Sequence, residues 1–195
     1  MRKFVAISLI FLLFTNWSLA LEVNLAKGKE YFLAHEADWK YPDDGLKLTD
    51  GRFGYPDYKD FAWVGFTNRE QFVALDLRDL YQIDRVSVGF LRSTDEAIFF
   101  PVGVAVAISE DGIEWEAISN VIYDYRDLPQ NKIVTYKHLV DNVQKKARFV
   151  AIRIHGSTWV FMDEIEVWGD NSTKAKPPQG VYVDEIEFDL IDFDL

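Results

Sequence analysis

The chain has 195 residues, 21 Lys and Arg against 32 Asp and Glu, no cysteine, and a formal charge of −11. That length suits one domain of ordinary size, and 49% hydrophobic residues suffice for a real core, so wholesale disorder is excluded. The acidic balance argues against nucleic acid and anionic lipid as partners, since both are bound through Lys and Arg, and the lack of cysteine removes disulfides, thiol nucleophiles and thiolate metal sites.

Met1, Arg2 and Lys3 make a basic start, and Phe4–Phe14 is an apolar run broken only by Ser8. Ser18-Leu19-Ala20 supplies a small-x-small signal, so residues 1–20 read as a secretory signal peptide cut after Ala20. A membrane-spanning helix needs roughly 20 apolar residues, and this run is shorter. Cleavage removes Arg2 and Lys3 and no acid, which moves the charge from −11 to −13. The protein is therefore expected to be secreted, extracellular or periplasmic.

Residues 21–169 read as one all-β domain. A turn at Thr49-Asp50-Gly51 comes first, then strand-like runs at Phe72–Leu77, Ile83–Leu91 and Val102–Ser109. In the last of these Val102, Val104, Val106 and Ile108 alternate on one face, the period of a half-buried strand. Ser109-Glu110-Asp111-Gly112 is a hairpin turn in which Gly supplies positive φ. Ile133–Leu139, Arg148–His155 and Ile165–Gly169 complete the strands, with Asp141–Ala147 the one segment suited to a turn or two of helix. Short strands with turns at such spacing predict an antiparallel sandwich or barrel. Residues 170–180, with two prolines, read as a linker. Residues 181–195 form an acidic C-terminal tail carrying Asp184, Glu185, Glu187, Asp189, Asp192 and Asp194 and no base. Its interspersed Tyr182, Ile186, Phe188, Ile191 and Phe193 allow an added strand, a disordered end or a protein-binding segment.

A series of motifs runs in order through this body. Asn24-Leu25-Ala26 with Gly28-Lys29 is followed by Leu48-Thr49-Asp50-Gly51, by Trp63 with Gly65-Phe66, and by Val73-Ala74-Leu75-Asp76-Leu77. Ile83-Asp84-Arg85-Val86, Ile98-Phe99-Phe100-Pro101, Ser109-Glu110-Asp111-Gly112 and Trp159-Val160-Phe161-Met162-Asp163-Glu164-Ile165 complete it. Together they resemble the discoidin, or coagulation factor V/VIII type C, domain. The likeness is to the versions at the ends of secreted bacterial hexosaminidases and galactosidases, where such modules bind carbohydrate. The resemblance implies a jelly-roll-like antiparallel β-sandwich, galactose-binding-domain-like, with loops gathered at one end.

It also implies a structural calcium site. Asp50 and Glu164 would supply carboxylates, and Lys47, Arg52, Tyr55 and Asp163 carbonyl oxygens, a hard-oxygen set of the kind calcium takes. Many relatives have Ser or Thr at the place of Tyr55, so one hydroxyl ligand is lost here. For glycan binding, of galactose or N-acetylhexosamine type, the resemblance points to three loops: Ala34–Pro42 with His35 and Trp39, Arg92–Phe100 with Arg92, and Gly156–Phe161 with Trp159. Each has a plainer reading. Trp159 could cap the core, and Arg92 could pair with Asp95 or Glu96. Trp63 and Trp168 read as core residues. The sequence contains no nucleophile elbow, zinc-protease pair, phosphate loop or dinucleotide fingerprint, so a non-catalytic binding protein is expected. The alternative is a secreted protein-interaction or adhesion module using the same loops or the acidic tail.

Overall fold

The computed structural model describes residues 22–156 and 158–175, with backbone alone for 171–175. The segment read as a signal peptide and the acidic tail lie outside the described residues, as does the linker beyond residue 175. Among the described residues nine strands carry the fold: β1 (Glu22–Asn24), β2 (Tyr31–Leu33), β3 (Val64–Phe66), β4 (Glu70–Ser93), β5 (Gly103–Ser109), β6 (Glu116–Ile122), β7 (Ile133–Val140), β8 (Lys145–His155) and β9 (Val160–Ala175). Every pairing among them is antiparallel.

The two runs expected at 72–77 and 83–91 are one strand of 24 residues that serves both layers. Its first part pairs with β2 and β8, and β8 leads on to β5 and β6. Its second part pairs with β7 and β9, and β9 carries β1 and β3. The change of layer falls near a register shift between Asp76 and Tyr81, where Arg78 has φ 75°. A left-handed residue inside a strand bends it and re-aims the residues beyond the bend.

The core fills the space between the layers. Val73, Leu75, Val104, Val106, Val150 and Ile152 from one layer meet Val88, Phe90, Ile165 and Val167 from the other, all buried. The period-two pattern read in β5 is thus the inward face, except that Val102 lies just before the strand and is exposed. On the outward face Ala74, Ala105, Ala107 and Ala151 are also buried, around Phe149, with Phe72 and Trp115 against them. Trp63 is buried as expected, whereas Trp168 is half-buried with the Arg85 guanidinium 5.2 Å from its ring centroid.

Two expectations are corrected. Residues 141–147 form no helix, because Asn142 and Gln144 both have positive φ and β8 already starts at Lys145. The strand expected to end at Gly169 continues through Ala175, so the first part of the linker segment is strand backbone.

The registers gather the strand ends. Ser93 pairs with Ile133, Glu70 with His155, and Gly103 with both Ile122 and His155. The loops after β4, β6 and β8 therefore emerge at one end. The loop after β2 joins them, since Ala34 N–H donates to Phe72 O and His35 N–H to Gln71 Oε1.

Candidate functional site

At this end three loops from distant parts of the chain close on one cavity of about 170 Å³. Lys40 and Tyr41 come from the loop after β2, Glu96 and Ile98 from the loop after β4, and Trp159 and Phe161 from the start of β9. Backbone hydrogen bonds fix them. Tyr41 O accepts from Gly65 N–H at 3.0 Å, and Asp38 N–H donates to Gly65 O at 2.9 Å, which pins the first loop to β3. Phe99 N–H donates to Trp159 O at 3.1 Å, and Thr158 Oγ1 donates to Ala97 O, which ties the second loop to the third. Ala97 takes φ 57° to close the tight turn Thr94–Glu96.

The floor is aromatic. The Tyr41 ring lies 4.4 Å from Phe161 and 5.5 Å from Trp159, the latter edge-on at 82°. Trp159 is half-buried, so it both covers the small cluster of Trp63, Leu91, Ile98 and Phe161 and lines the cavity. The capping reading of Trp159 is thus met, and its exposed part faces the cavity. The Tyr41 phenol is pushed above its usual pKa by burial and by Tyr58, Glu96 and Asp38, with Lys59 opposing. It stays protonated at neutral pH and offers a donor beside the Glu96 acceptor and the Lys40 cation. A small aromatic floor with a few polar groups on the rim suits a compact polar ligand that also has an apolar face.

The remaining expected residues are spread out. Trp39 is 80% exposed, next to Lys40, whose ammonium lies 5.5 Å from its ring. The His35 side chain is exposed, and its backbone is clamped by Gln71 through N–H and C=O. Arg92 does not line this cavity and does not pair with Asp95 or Glu96. Its Nη1 donates to Pro129 O at 2.7 Å and to Gln130 Oε1 at 3.3 Å, while Asp95 pairs with Lys132. Tyr41 and Glu96 lie on two of the loops the sequence points to, yet no local pattern ranks them above Trp39 or Arg92, and nothing in the sequence marks Lys40.

The implied calcium ligands sit where the turn at Lys47–Thr49 meets β9. Glu164 is 1% exposed, and its two carboxylate oxygens accept from Gly51 N–H at 3.1 and 3.0 Å. Burial, with Asp50, Asp163 and Glu166 nearby, pushes its pKa up to about 8. Asp163 is raised to about 6, again by burial, against donors from Gly54 and Glu164 backbone N–H and the Lys137 charge. Asp50 Oδ1 accepts from Arg52 N–H at 2.8 Å, the plain turn-forming role. Tyr55 O accepts from Trp63 Nε1 at 2.9 Å, and the Tyr55 side chain is exposed. No three His, Cys, Asp or Glu side chains group for a metal among the described residues. A cation here would thus rest on two carboxylates plus carbonyls, and the donor set, all oxygen with a crowded buried carboxylate, fits calcium. Gly89 makes room for this arrangement, since a Cβ there would overlap Asp163 Oδ1. Gly89→Ala should therefore lower stability by about 1–3 kcal/mol, the usual range for overpacking, as read by urea unfolding.

No protein-family model and no curated protein matches the chain. Solved structures do match in fold. A Streptococcus pneumoniae fucose-binding module aligns with TM-score 0.55 at 13% identity, covering 76% of this chain and 96% of that one. A chitosan-binding module from a Paenibacillus sp. IK-5 chitosanase/glucanase aligns at 0.53 and 12%, covering 75% and 99%. A Clostridium perfringens module in complex with GlcNAc-α-1,4-galactose aligns at 0.53 and 16%, covering 80% and 99%. The chain has the fold of the discoidin-like carbohydrate-binding modules of bacterial glycoside hydrolases.

Proposed function

We propose that the protein is a secreted, non-catalytic carbohydrate-binding module. It would hold a glycan of galactose or N-acetylhexosamine type in the cavity between Tyr41, Glu96 and Trp159. The observation that carries this reading is the convergence of three separate loops on an aromatic floor with a mixed-charge rim. Sugars have one apolar face and many hydroxyls, so they pair an aromatic surface with a few fixed donors and acceptors. Rigid strands holding the loops reduce the ordering cost of binding. The likeness to glycan-binding modules supports it, as each named relative is one. Exposed Trp39 stands beside Lys40 and would extend the platform.

The reading includes a structural calcium ion. Asp50 and Glu164 would hold it with carbonyl oxygens of Lys47, Arg52, Tyr55 and Asp163. Its chemistry is charge compensation, and it would tie residues 46–55 to β9.

A glycan array followed by calorimetry tests the reading. At least one galactose- or N-acetylhexosamine-terminated glycan should bind, and Trp159→Ala should weaken it at least tenfold, about 1.4 kcal/mol. Glu96→Ala, on an exposed loop, should weaken it with the melting temperature unchanged. No bound glycan, together with a protein partner lost on deleting residues 181–195, would overturn it in favour of an adhesion module.

A further inference from the structure

A second cavity, of about 370 Å³, opens on the other side of the ridge formed by residues 98–100. Its walls include Phe99, Phe100, Tyr123, Tyr125 and Leu128, and the charged group among the residues lining it is Arg92. The sequence placed Arg92 on a loop at the surface. Strand alternation instead sets it on the side of Val86, Val88 and Phe90, the core side of β4, so its guanidinium is half-buried at the upper end of the sandwich.

The electrostatics there are incomplete. The two acceptors of Arg92 Nη1, Pro129 O and Gln130 Oε1, are both neutral, and Nε is buried without a partner. Among the described residues no carboxylate pairs with it: Asp95 is taken by Lys132, and Glu96 faces the first cavity. Acids outnumber bases in this chain by 32 to 21, so a cation left unpaired in an aromatic pocket stands out. A partly desolvated guanidinium without an anionic partner gains most from a carboxylate, which here would be met at the Nη end, since Nε is buried. The bonds to Pro129 and Gln130 orient the guanidinium in advance.

We infer that this cavity is a second sugar subsite, specific for a carboxylate-bearing ring such as a uronic or sialic acid. Arg92 takes the carboxylate, and Tyr125 with Phe99 covers the ring. The two cavities share the segment 96–100 as a septum, so an acidic residue here and a neutral one beside Trp159 belong to one oligosaccharide. The ligand class rests on the glycan reading above, but the residues tested do not.

Calorimetry with the methyl glycosides of D-glucuronate and D-galacturonate and with N-acetylneuraminate, each beside a neutral hexoside, tests the inference. At least one acidic sugar should bind tenfold or more tightly than the neutral rings. Arg92→Gln should abolish that preference. Tyr125→Ala, at an exposed side chain, should weaken the same ligand several-fold without touching the guanidinium or the melting temperature. Trp159→Ala should leave it within twofold. Binding of no acidic sugar overturns the inference, as does acidic-sugar binding that survives both Arg92→Gln and Tyr125→Ala. Loss on Trp159→Ala alone would assign the acid to the first cavity, which overturns the second subsite and leaves the glycan reading intact.

Discussion

Replacing Asp76 by Ala should destabilise the fold by about 3–5 kcal/mol, because it breaks a buried two-bond ion pair with the Arg148 guanidinium. Asp76 is 1% exposed, and its two oxygens accept from Arg148 Nε and Nη2, each at 2.8 Å. Asp76 Oδ1 also accepts from Arg78 N–H at 2.7 Å, which stabilises the left-handed residue near which β4 changes layer. One carboxylate thus cross-links β4 to β8 and shapes the bend on which the two-layer arrangement depends. Burial alone would raise its pKa, but the Arg148 hydrogen bonds, the Arg78 N–H and both guanidinium charges hold it below the usual 3.8. A depressed carboxyl pKa contributes stability that is present above the unfolded value of about 3.9 and is lost as pH falls through the folded value. The gap between wild type and Asp76→Asn should therefore be full at neutral pH and narrow below about pH 4. Urea unfolding between pH 3 and pH 7 measures it. A double variant, Asp76→Leu with Arg148→Met, should recover much of the loss, since two well-packed apolar side chains leave no orphaned charge. A gap that stayed constant down to pH 3 would show that the carboxylate acts through shape alone.

The same strand shows how far the sequence carries. The sandwich is legible because burial forces alternation, and alternation survives in Val104, Val106 and Ile108 and in Val150, Ile152 and Ile154. The left-handed turn at Arg78 is not legible, as nothing in Leu77-Arg78-Asp79 favours positive φ; the reason lies in Asp76, held from a strand distant in the chain. The three loops of the first cavity are marked by their aromatic and charged residues, yet which of those residues converge is set by register. Tyr41 reaches the floor because β3 anchors its carbonyl, while Trp39, two residues earlier, is left in solvent. Arg92 with Asp95 and Glu96 looks like a local ion pair. The turn at Thr94–Glu96 instead sends Asp95 towards Lys132 and leaves the guanidinium on the opposite side of the ridge. Local spacing proposes such pairs, and long-range pairing of β4 with β7 decides them.

Calcium should raise the melting temperature of the wild-type chain by about 5–10 °C at one hundred times its dissociation constant, the shift that corresponds to about 2.7 kcal/mol of linkage for a domain of this size. The cause lies in Glu164, a carboxylate buried with Asp50, Asp163 and Glu166 around it and with Gly51 N–H donating to both its oxygens. Burial raises its pKa to about 8, so without a cation the carboxyl is largely protonated at neutral pH, whereas a divalent cation would compensate it and its neighbouring carboxylates at once. Glu164→Gln keeps the shape and removes the charge, so it should abolish the calcium response. In chelator the variant should be as stable as wild type or more so, because a neutral amide replaces a carboxyl that must take up a proton, or be buried charged among other acids, for the chain to fold at neutral pH. The order of stability should then cross: wild type above Glu164→Gln in calcium, and not above it in chelator. Magnesium should give a smaller shift, since it demands a tight octahedral shell and sheds water reluctantly, while carbonyls on a loop form a looser cage. Thermal melts of the two proteins in calcium, magnesium and chelator read all of this. A wild-type melt insensitive to calcium, or a response retained in Glu164→Gln, would remove the metal from this loop and leave Asp50 as the residue that shapes the turn through Arg52 N–H.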